Sequence, residues 1–515
     1  MAANSFLKCL LLLCFVSGGW ASDFGESACT LKVPAAKFEA AVRSTAAQLR
    51  EVITTVSKFA DAASGDFRLS TALSDCHDLM DFSLDLLNST MLTTNSQNPN
   101  GNYGSADMKI MVCGLLVNPR TCREGFDGIV TKNTTLVKKS IFTGLDKVVS
   151  SAHKLIAMVN PNSPPTPSKK SGRKLIGDSE KFPDWVKSDD RKLLQAAVGN
   201  TTNADAVVAA DGTGDFTTVK EAIEAAPDHS NKRYVIHIKK GVYKEYVEIN
   251  KKKWNIMIIG DGIDSTVISG SHNKVDGWTT YRSATFGVKG KGFIARDITF
   301  ENTAGPTKIQ AVAFRSDSDQ SVVYRCAIRG YQDTLYSHCM RQFYRECRIS
   351  GTVDFICGHG TAVFQNCQIT ARKALPGQKN TITAQSREYI LDPSGFSIQF
   401  CNISAEPDSV GSTQTYLGRP WKRYSRTVVM QSYISGAVRP EGWLEWNGSL
   451  YLDSLFYGEY NNYGPGSGLT GRVKWPGYHV LNDSAQAYGF TVARLISGNA
   501  WLPSTGVTYT AGLAN

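Results

Sequence analysis

Four segments of the 515-residue chain repeat one pattern: Val322-Val-Tyr-Arg-Cys-Ala-Ile328, Gln342-Phe-Tyr-Arg-Glu-Cys-Arg-Ile349, Val363-Phe-Gln-Asn-Cys-Gln-Ile369 and Ser397-Ile-Gln-Phe-Cys-Asn-Ile403. Each is a short run of β-branched and aromatic residues that closes on Cys-x-Ile. Phe293-Ile-Ala-Arg-Asp-Ile-Thr-Phe300 reads as a fifth copy, with Asp297 at the cysteine position. The shared positions are 29, 21, 20 and 34 residues apart, close to one coil of a parallel β-helix with loop insertions. Strand-and-turn composition continues from Gln195 to the C-terminus. In such a coil, equivalent residues stack one strand spacing apart, about 4.8 Å. Cys347 and Cys367 then become neighbours, able to form a disulfide or to stack as buried thiols.

The same register places the chemistry. Asp333 lies seven residues after Cys326 and Asp354 seven after Cys347, so the two carboxylates occupy one position on adjacent coils. Close carboxylates split their pKa values, one ionising while the other keeps its proton. A nucleophile and a general acid need that division. The competing reading is a ladder of Asp residues capping turns. Gln332 beside Asp333, and Gln310 about one coil earlier, are uncharged amide donors able to stabilise an oxyanion. Leu417-Gly-Arg-Pro-Trp421 puts a guanidinium two residues from an indole, one suited to clamping a carboxylate and the other to stacking on a sugar ring.

Upstream the texture is helical. Phe38, Val42, Leu49, Val52, Val56 and Phe59 share one helical face; Leu69, Leu73, Cys76, Leu79, Met80 and Leu84 form a second, and Leu136, Ile141, Leu145, Val148 and Leu155 another. An antiparallel bundle follows, with a loop at Asn95–Asn102 and a possible Cys76–Cys122 clamp. Residues 1–21 read as a signal peptide, with Lys8, an apolar run from Leu7 to Val16, and small residues Gly19 and Ala21. Residues 161–194 form a proline-rich linker carrying two dibasic clusters, Arg173-Lys174 and Arg191-Lys192, exposed to a processing protease.

The net charge of +10 favours an anionic partner, and a secretory route turns that expectation from nucleic acid toward an acidic polysaccharide. Six Asn-x-Ser/Thr sites, at Asn88, Asn133, Asn200, Asn402, Asn447 and Asn482, suit a secreted glycoprotein. No stretch after the leader approaches the roughly 20 apolar residues of a membrane span. There is no Gly-x-Ser-x-Gly elbow, which removes the usual serine esterase motif. No His pair has metal-ligand spacing, so a structural zinc site is not expected; taken as a whole, the chain is expected to need neither metal nor organic cofactor. Gly466-Ser-Gly-Leu-Thr-Gly471 matches a dinucleotide fingerprint but precedes no helix, and reads as a loop.

With Gly330-Tyr-Gln-Asp-Thr-Leu-Tyr336, Gly351-Thr-Val-Asp-Phe-Ile356 and Leu417–Trp421 in this order, the chain resembles the plant pectin methylesterases that carry an N-terminal inhibitor-like pro-region. The resemblance implies an all-β right-handed parallel β-helix catalytic domain over residues 195–515, preceded by an all-α four-helix-bundle pro-domain over residues 22–160. It implies hydrolysis of the methyl esters of homogalacturonan in the cell wall. Asp354 matches the nucleophile and Asp333 the proton donor and acceptor. Gln332 matches a transition-state stabiliser, and Arg419 the arginine that orients the nucleophile and binds substrate. Thr280, Gln310 and Trp421 match substrate contacts, and Cys347 and Cys367 match a disulfide. A subtilisin-like processing protease, a possible proteinaceous inhibitor and a monomeric state belong to the same expectation. The chain departs from the family pattern at Cys357-Gly-His359-Gly360 and at Ser337-His-Cys-Met340, where subsite preference or pH optimum is expected to differ. A β-helix depolymerase of the polygalacturonase or pectate lyase type is the alternative, as is an inactive pectin-binding or inhibitor protein.

Overall fold

A computed structural model describes residues 31–159, apart from 64, 96–104 and 131–133, and residues 204–514. The leader, the loop after Asn95, the linker and both dibasic clusters lie outside the described residues. Helices α1 (Ala35–Ala62), α2 (Phe67–Asn95), α3 (Ser105–Gly125) and α4 (Thr134–Met158) pack in a ring, each against its sequence neighbours and α1 against α4. The apolar stripes meet inside it: Phe38, Val42, Leu49, Leu73, Leu79, Ile141, Leu145 and Leu155 are fully buried. Leu136 departs from its expected face and is exposed, because the buried stripe of α4 runs through Thr134 and Val137 on either side of it. Cys76 and Cys122 form a disulfide that ties α2 to α3.

From Ala206 the chain winds through three parallel sheets of eleven, eight and seven strands, the right-handed parallel β-helix. The fold comes from side-chain stacking along the axis. Ile268, Phe300, Ile328, Ile349, Ile369, Ile403 and Ile434 occupy one inward position on consecutive coils, and all are fully buried. Each apolar side chain is thereby sandwiched between two of its own kind, which is why the Cys-x-Ile pattern recurs.

Two expectations need correction. The residue that stacks on Cys326 is Ile298, not Asp297, because Ala327 pairs with Thr299. Asp297 instead takes the turn position filled by Arg325, Glu346, Asn366 and Phe400 in later coils, all at φ between 49° and 56°. Left-handed backbone lets the chain turn a corner between sheets, even though it disfavours residues other than glycine. Cys347 and Cys367 do stand on adjacent coils, yet both are free thiols in the structure, so the implied disulfide is not formed. Each sulfur donates instead to backbone carbonyls of the strand it leaves and of the coil before. Cys347 reaches Val323 (3.2 Å) and Arg345 (3.3 Å), and Cys367 reaches Gln365 (3.5 Å) and Tyr344 (3.6 Å).

The seven-stranded sheet, here the front sheet, runs from Val247–Ile249 through Phe286–Val288, Phe314–Ser316, Leu335–Ser337, Ile356–Gly358 and Asn380–Gln385 to Thr415–Gly418. The bundle lies against it. Tyr336, Cys357 and Ala384, in cross-strand register on the outer face, join the bundle's apolar cluster. Arg120 of α3 enters the β-helix and donates to the Ser386 carbonyl at 2.9 Å, and Glu124 meets Lys422 at 2.9 Å.

Truncating the stacked isoleucine at the middle of the ladder, Ile369→Ala, should cost about 2–5 kcal/mol through lost burial and a cavity that parallel strands cannot collapse. A shift of the chemical-denaturation midpoint measures it. An exposed control such as Val242→Ala should leave the midpoint nearly unmoved.

Candidate active site

Leu335 pairs with Ile356, so Asp333 and Asp354, each two residues earlier, stand in one register on consecutive coils as the spacing required. Both sit at the corner leading into the front sheet with φ of 58° and 53°. That left-handed turn is uncommon for a residue with a side chain. Here it aims both carboxyls into the same recess, where each is buried.

Their surroundings differ sharply. Arg419 follows the last front-sheet strand and reaches back two coils, donating Nε to Asp354 Oδ1 at 2.8 Å and Nη2 to Oδ2 at 2.7 Å. Thr381, one coil beyond Asp354, donates its hydroxyl to Oδ1 at 2.6 Å and accepts the Asp354 backbone N–H at 2.9 Å. Oδ1 therefore carries two donors and Oδ2 one, leaving Oδ2 the more available lone pair. Among the described residues no side chain donates to the Asp333 carboxyl. Burial, and then the neighbouring Asp354 charge, push its pKa well above the ordinary carboxylate range, with Arg419 opposing. One carboxylate is thus held by a fork and its neighbour is kept neutral.

The remaining expected residues line the same edge. Gln332 and Gln310 belong to adjacent coils joined where the Ala311 N–H donates to the Gln332 carbonyl at 3.2 Å. Gln310 Oε1 is buried without a partner. Thr280 precedes the second front-sheet strand, its carbonyl accepting the Ser283 hydroxyl at 2.8 Å. Trp421 stacks at 6.5 Å on Trp446, and Trp446 also lies 4.5 Å beneath the Arg419 guanidinium. Thr381 and Trp446 were not expected from sequence. The 27 residues between Asp354 and Thr381, lengthened by an insertion after Ala371, hide the shared register.

Of the departures from the family pattern, His359, His338, Cys339 and Met340 face away from the aspartate pair, and Cys357 faces it. His359 donates Nδ1–H to the Ser386 carbonyl (2.9 Å) and lies 3.3 Å from Asp392, away from the aspartate pair. His338 contacts Thr121 of α3 at 2.7 Å, and Cys339 and Met340 pack with Phe82, Ile110 and Val117 of the bundle. Cys357 is close to both aspartates, but burial raises its thiol pKa well above 9, so it stays protonated. Asp317, His338 and Cys339 converge as a group able to hold a metal ion. The Arg315 guanidinium at 2.8 Å from Asp317 already supplies a positive charge there. Residues 466–471 form turns, as expected.

A buried, electrostatically asymmetric aspartate pair beside the front sheet of a parallel β-helix is the candidate active site. The pectinesterase family model matches residues 205–499, and that of the plant invertase/pectin methylesterase inhibitor matches residues 21–157. The chain belongs to the pectinesterase family, a family of carboxylic ester hydrolases. It is 56% identical to a pectinesterase/pectinesterase inhibitor of Prunus persica, covering 99% of this chain and 97% of that one. It is 54% identical to a probable pectinesterase/pectinesterase inhibitor of Arabidopsis thaliana, covering 99% of both. A solved pectin methylesterase from carrot is 52% identical and superposes with a TM-score of 0.60, over 61% of this chain and 99% of that one. No described helix is long and apolar enough to cross a membrane.

Thr381→Val removes the hydroxyl that fixes Oδ1 while keeping side-chain volume. It should lower kcat roughly 10–100-fold with little change in KM, the pattern of a lost positioning contact. Thr381→Ser should restore most of the rate, and steady-state kinetics on methyl-esterified pectin separates the outcomes.

Proposed function

We propose that the chain is the secreted precursor of a cell-wall pectin methylesterase, hydrolysing the methyl esters of homogalacturonan to pectate and methanol. The asymmetry of the two aspartates carries this reading. Asp354 Oδ2 attacks the ester carbonyl carbon, and the negative charge moves to the carbonyl oxygen, which the amides of Gln332 and Gln310 stabilise. Asp333, neutral at the start, gives its proton to the departing methoxide, and methanol leaves an acyl-enzyme on Asp354. Asp333, now ionised, takes a proton from water as the oxygen attacks the same carbonyl. Collapse frees the galacturonic acid, which gives its own proton to solvent, and returns Asp354 to Arg419, with the proton taken from water now on Asp333. Thr280, Gln310, Arg419 and Trp421 hold the sugar chain across this edge.

The helical region is a pro-domain that covers the front sheet until cleavage in the linker, near Leu194, by a subtilisin-like protease. The domains run 1–21, 22–160, 161–194 and 195–515, and the processed enzyme works as a monomer. The described glycosylation-site residues Asn88, Asn402, Asn447 and Asn482 are exposed, which supports passage through the secretory route. A released bundle, or a separate inhibitor of like fold, is the expected protein partner.

The test is methanol release from highly methyl-esterified pectin by the linker-cleaved chain, wild type beside Asp354→Ala. Methanol from the wild type alone, with unchanged chain length, is the expected result. Falling viscosity without methanol would replace the esterase by a depolymerase, and neither signal would leave a pectin-binding protein. The uncut chain should release far less methanol than the cut one.

Asp333→Asn should slow turnover by roughly 10²–10⁴-fold, the usual scale of a lost general acid. Its effect on stability runs the other way. A carboxyl whose folded pKa is raised supports the fold fully below the unfolded value and loses that support as pH rises through the folded one. At neutral pH the Asn variant should therefore melt above the wild type, the gap closing in acid. A lower melting temperature at pH 7 would contradict the buried neutral carboxyl.

A further inference from the structure

The contact between α2 and the β-helix is electrostatic and regularly spaced. Asp75, Asp78, Asp81 and Asp85 of α2 recur every three or four residues and so share one face over about 15 Å of helix. Arg282 Nε lies 2.6 Å from Asp75 and its Nη2 2.6 Å from Asp78. Lys251 Nζ lies 2.7 Å from Asp81 and 2.9 Å from Asp85. Four carboxylates of the bundle are thus laid on two cations of the β-helix.

Like Lys422, whose ion pair is with Glu124 of α3, these two cations keep no acidic partner among the described residues when the bundle is absent, unlike Arg341, Lys289 and Lys308. Arg341 also meets Asp107 of the bundle at 2.6 Å, but it retains Asp319 of its own domain at 2.5 Å. Lys289 holds Glu248 at 3.1 Å, and Lys308 holds Asp276 at 2.5 Å. Among the described residues, every acidic partner of Lys251 and Arg282 comes from α2. Lifting the bundle leaves both positive charges, on adjacent coils, without their acidic partners.

Their place on the fold matters as much. Lys251 follows the first front-sheet strand and Arg282 precedes the second, whereas Asp354 precedes the fifth. At about 4.8 Å per coil, the pair begins roughly 14–19 Å from the nucleophile along the helix axis. Gln310 lies between, and Thr280 shares the coil of Arg282. A polymer seated on the aspartates and running along the front sheet toward the first coil arrives at Arg282 and Lys251.

We propose that Lys251 and Arg282 form a second binding site for free uronate carboxylates, a polyanion site that α2 fills with its aspartates in the uncut chain. The inference rests on the reading of the chain as a pectin methylesterase whose bundle leaves on processing. Its ligand is a de-esterified stretch of galacturonan, the polymer's own product, which repeats a carboxylate at every unit. The Arg282 fork takes one carboxylate in two-point geometry and Lys251 takes the next as a mobile point charge. The esterified polymer offers either group only neutral acceptors, without the charge-assisted part of the bond. Bundle and product compete for one surface, so each displaces the other.

The linker is cut in the full-length protein, the bundle is removed at high salt, and binding of a fully de-esterified decagalacturonate is measured by calorimetry at 50 and 300 mM salt. The wild type should bind it at least 10-fold tighter than the fully methyl-esterified decamer, and should lose most of that margin at the higher salt. Lys251→Gln with Arg282→Gln should weaken the de-esterified decamer at least 10-fold, whereas Arg282→Lys should stay within about 3-fold. In cut protein that retains its bundle, the de-esterified decamer should release the bundle as a separate species on size exclusion. Equal affinity for the two decamers, no salt dependence, or an unchanged double variant would overturn the site; the first two need no variant to fold. Methanol release by the wild type, followed in parallel, separates the two ideas. Methanol without charge-dependent binding removes the site alone, and charge-dependent binding without methanol removes the esterase.

Discussion

Parallel pairing in unbroken register is the constraint from which the rest of this molecule follows. Because each coil repeats the position of the last, one residue type at one place becomes a column. Inside, that column is Ile328, Ile349, Ile369, Ile403 and Ile434, a core built by stacking. At the corner before the front sheet the column is Asp333, Asp354 and Thr381. The same geometry that closes the core brings two carboxylates together, an arrangement a folding chain would otherwise avoid.

That proximity is made tolerable by unequal treatment of the pair. Arg419 and Thr381 together place three donors on the buried Asp354 carboxylate. Asp333 receives none of them and stays neutral under the influence of burial and its charged neighbour. Chemistry and stability are therefore opposed at one residue: the group able to shuttle a proton is also the group whose ionisation the fold resists.

The bundle meets this surface with two kinds of contact. Over the middle coils it is apolar, with Tyr336, Cys357 and Ala384 continuous with the bundle's core. At the edges it is ionic, with Asp75, Asp78, Asp81, Asp85, Asp107 and Glu124 set on basic groups of the β-helix. The residues by which this chain departs from its family, His338 to Met340 and Cys357, lie under the bundle.

The β-helix, its coil length, the stacking of Asp333 on Asp354 and the helical faces of the bundle were all legible in the sequence. Each is a periodic property, and periodicity survives without coordinates. Single-residue offsets were less secure: the copy at Phe293–Phe300 aligned one residue out at Asp297, and the α4 face ran through Thr134 and Val137 rather than Leu136. Other features required the tertiary structure, because they depend on chain brought together from distant positions. Arg419 reaches Asp354 across 65 residues, Thr381 meets it across an insertion of irregular length, and Arg282 finds Asp75 more than 200 residues away. The Cys347 and Cys367 sulfurs are neighbours in either view. Only the structure shows them as thiols, donating to the carbonyls beside them. Register along one coil is written in the sequence; which side chain meets which across the fold is settled by how the coils and the bundle pack.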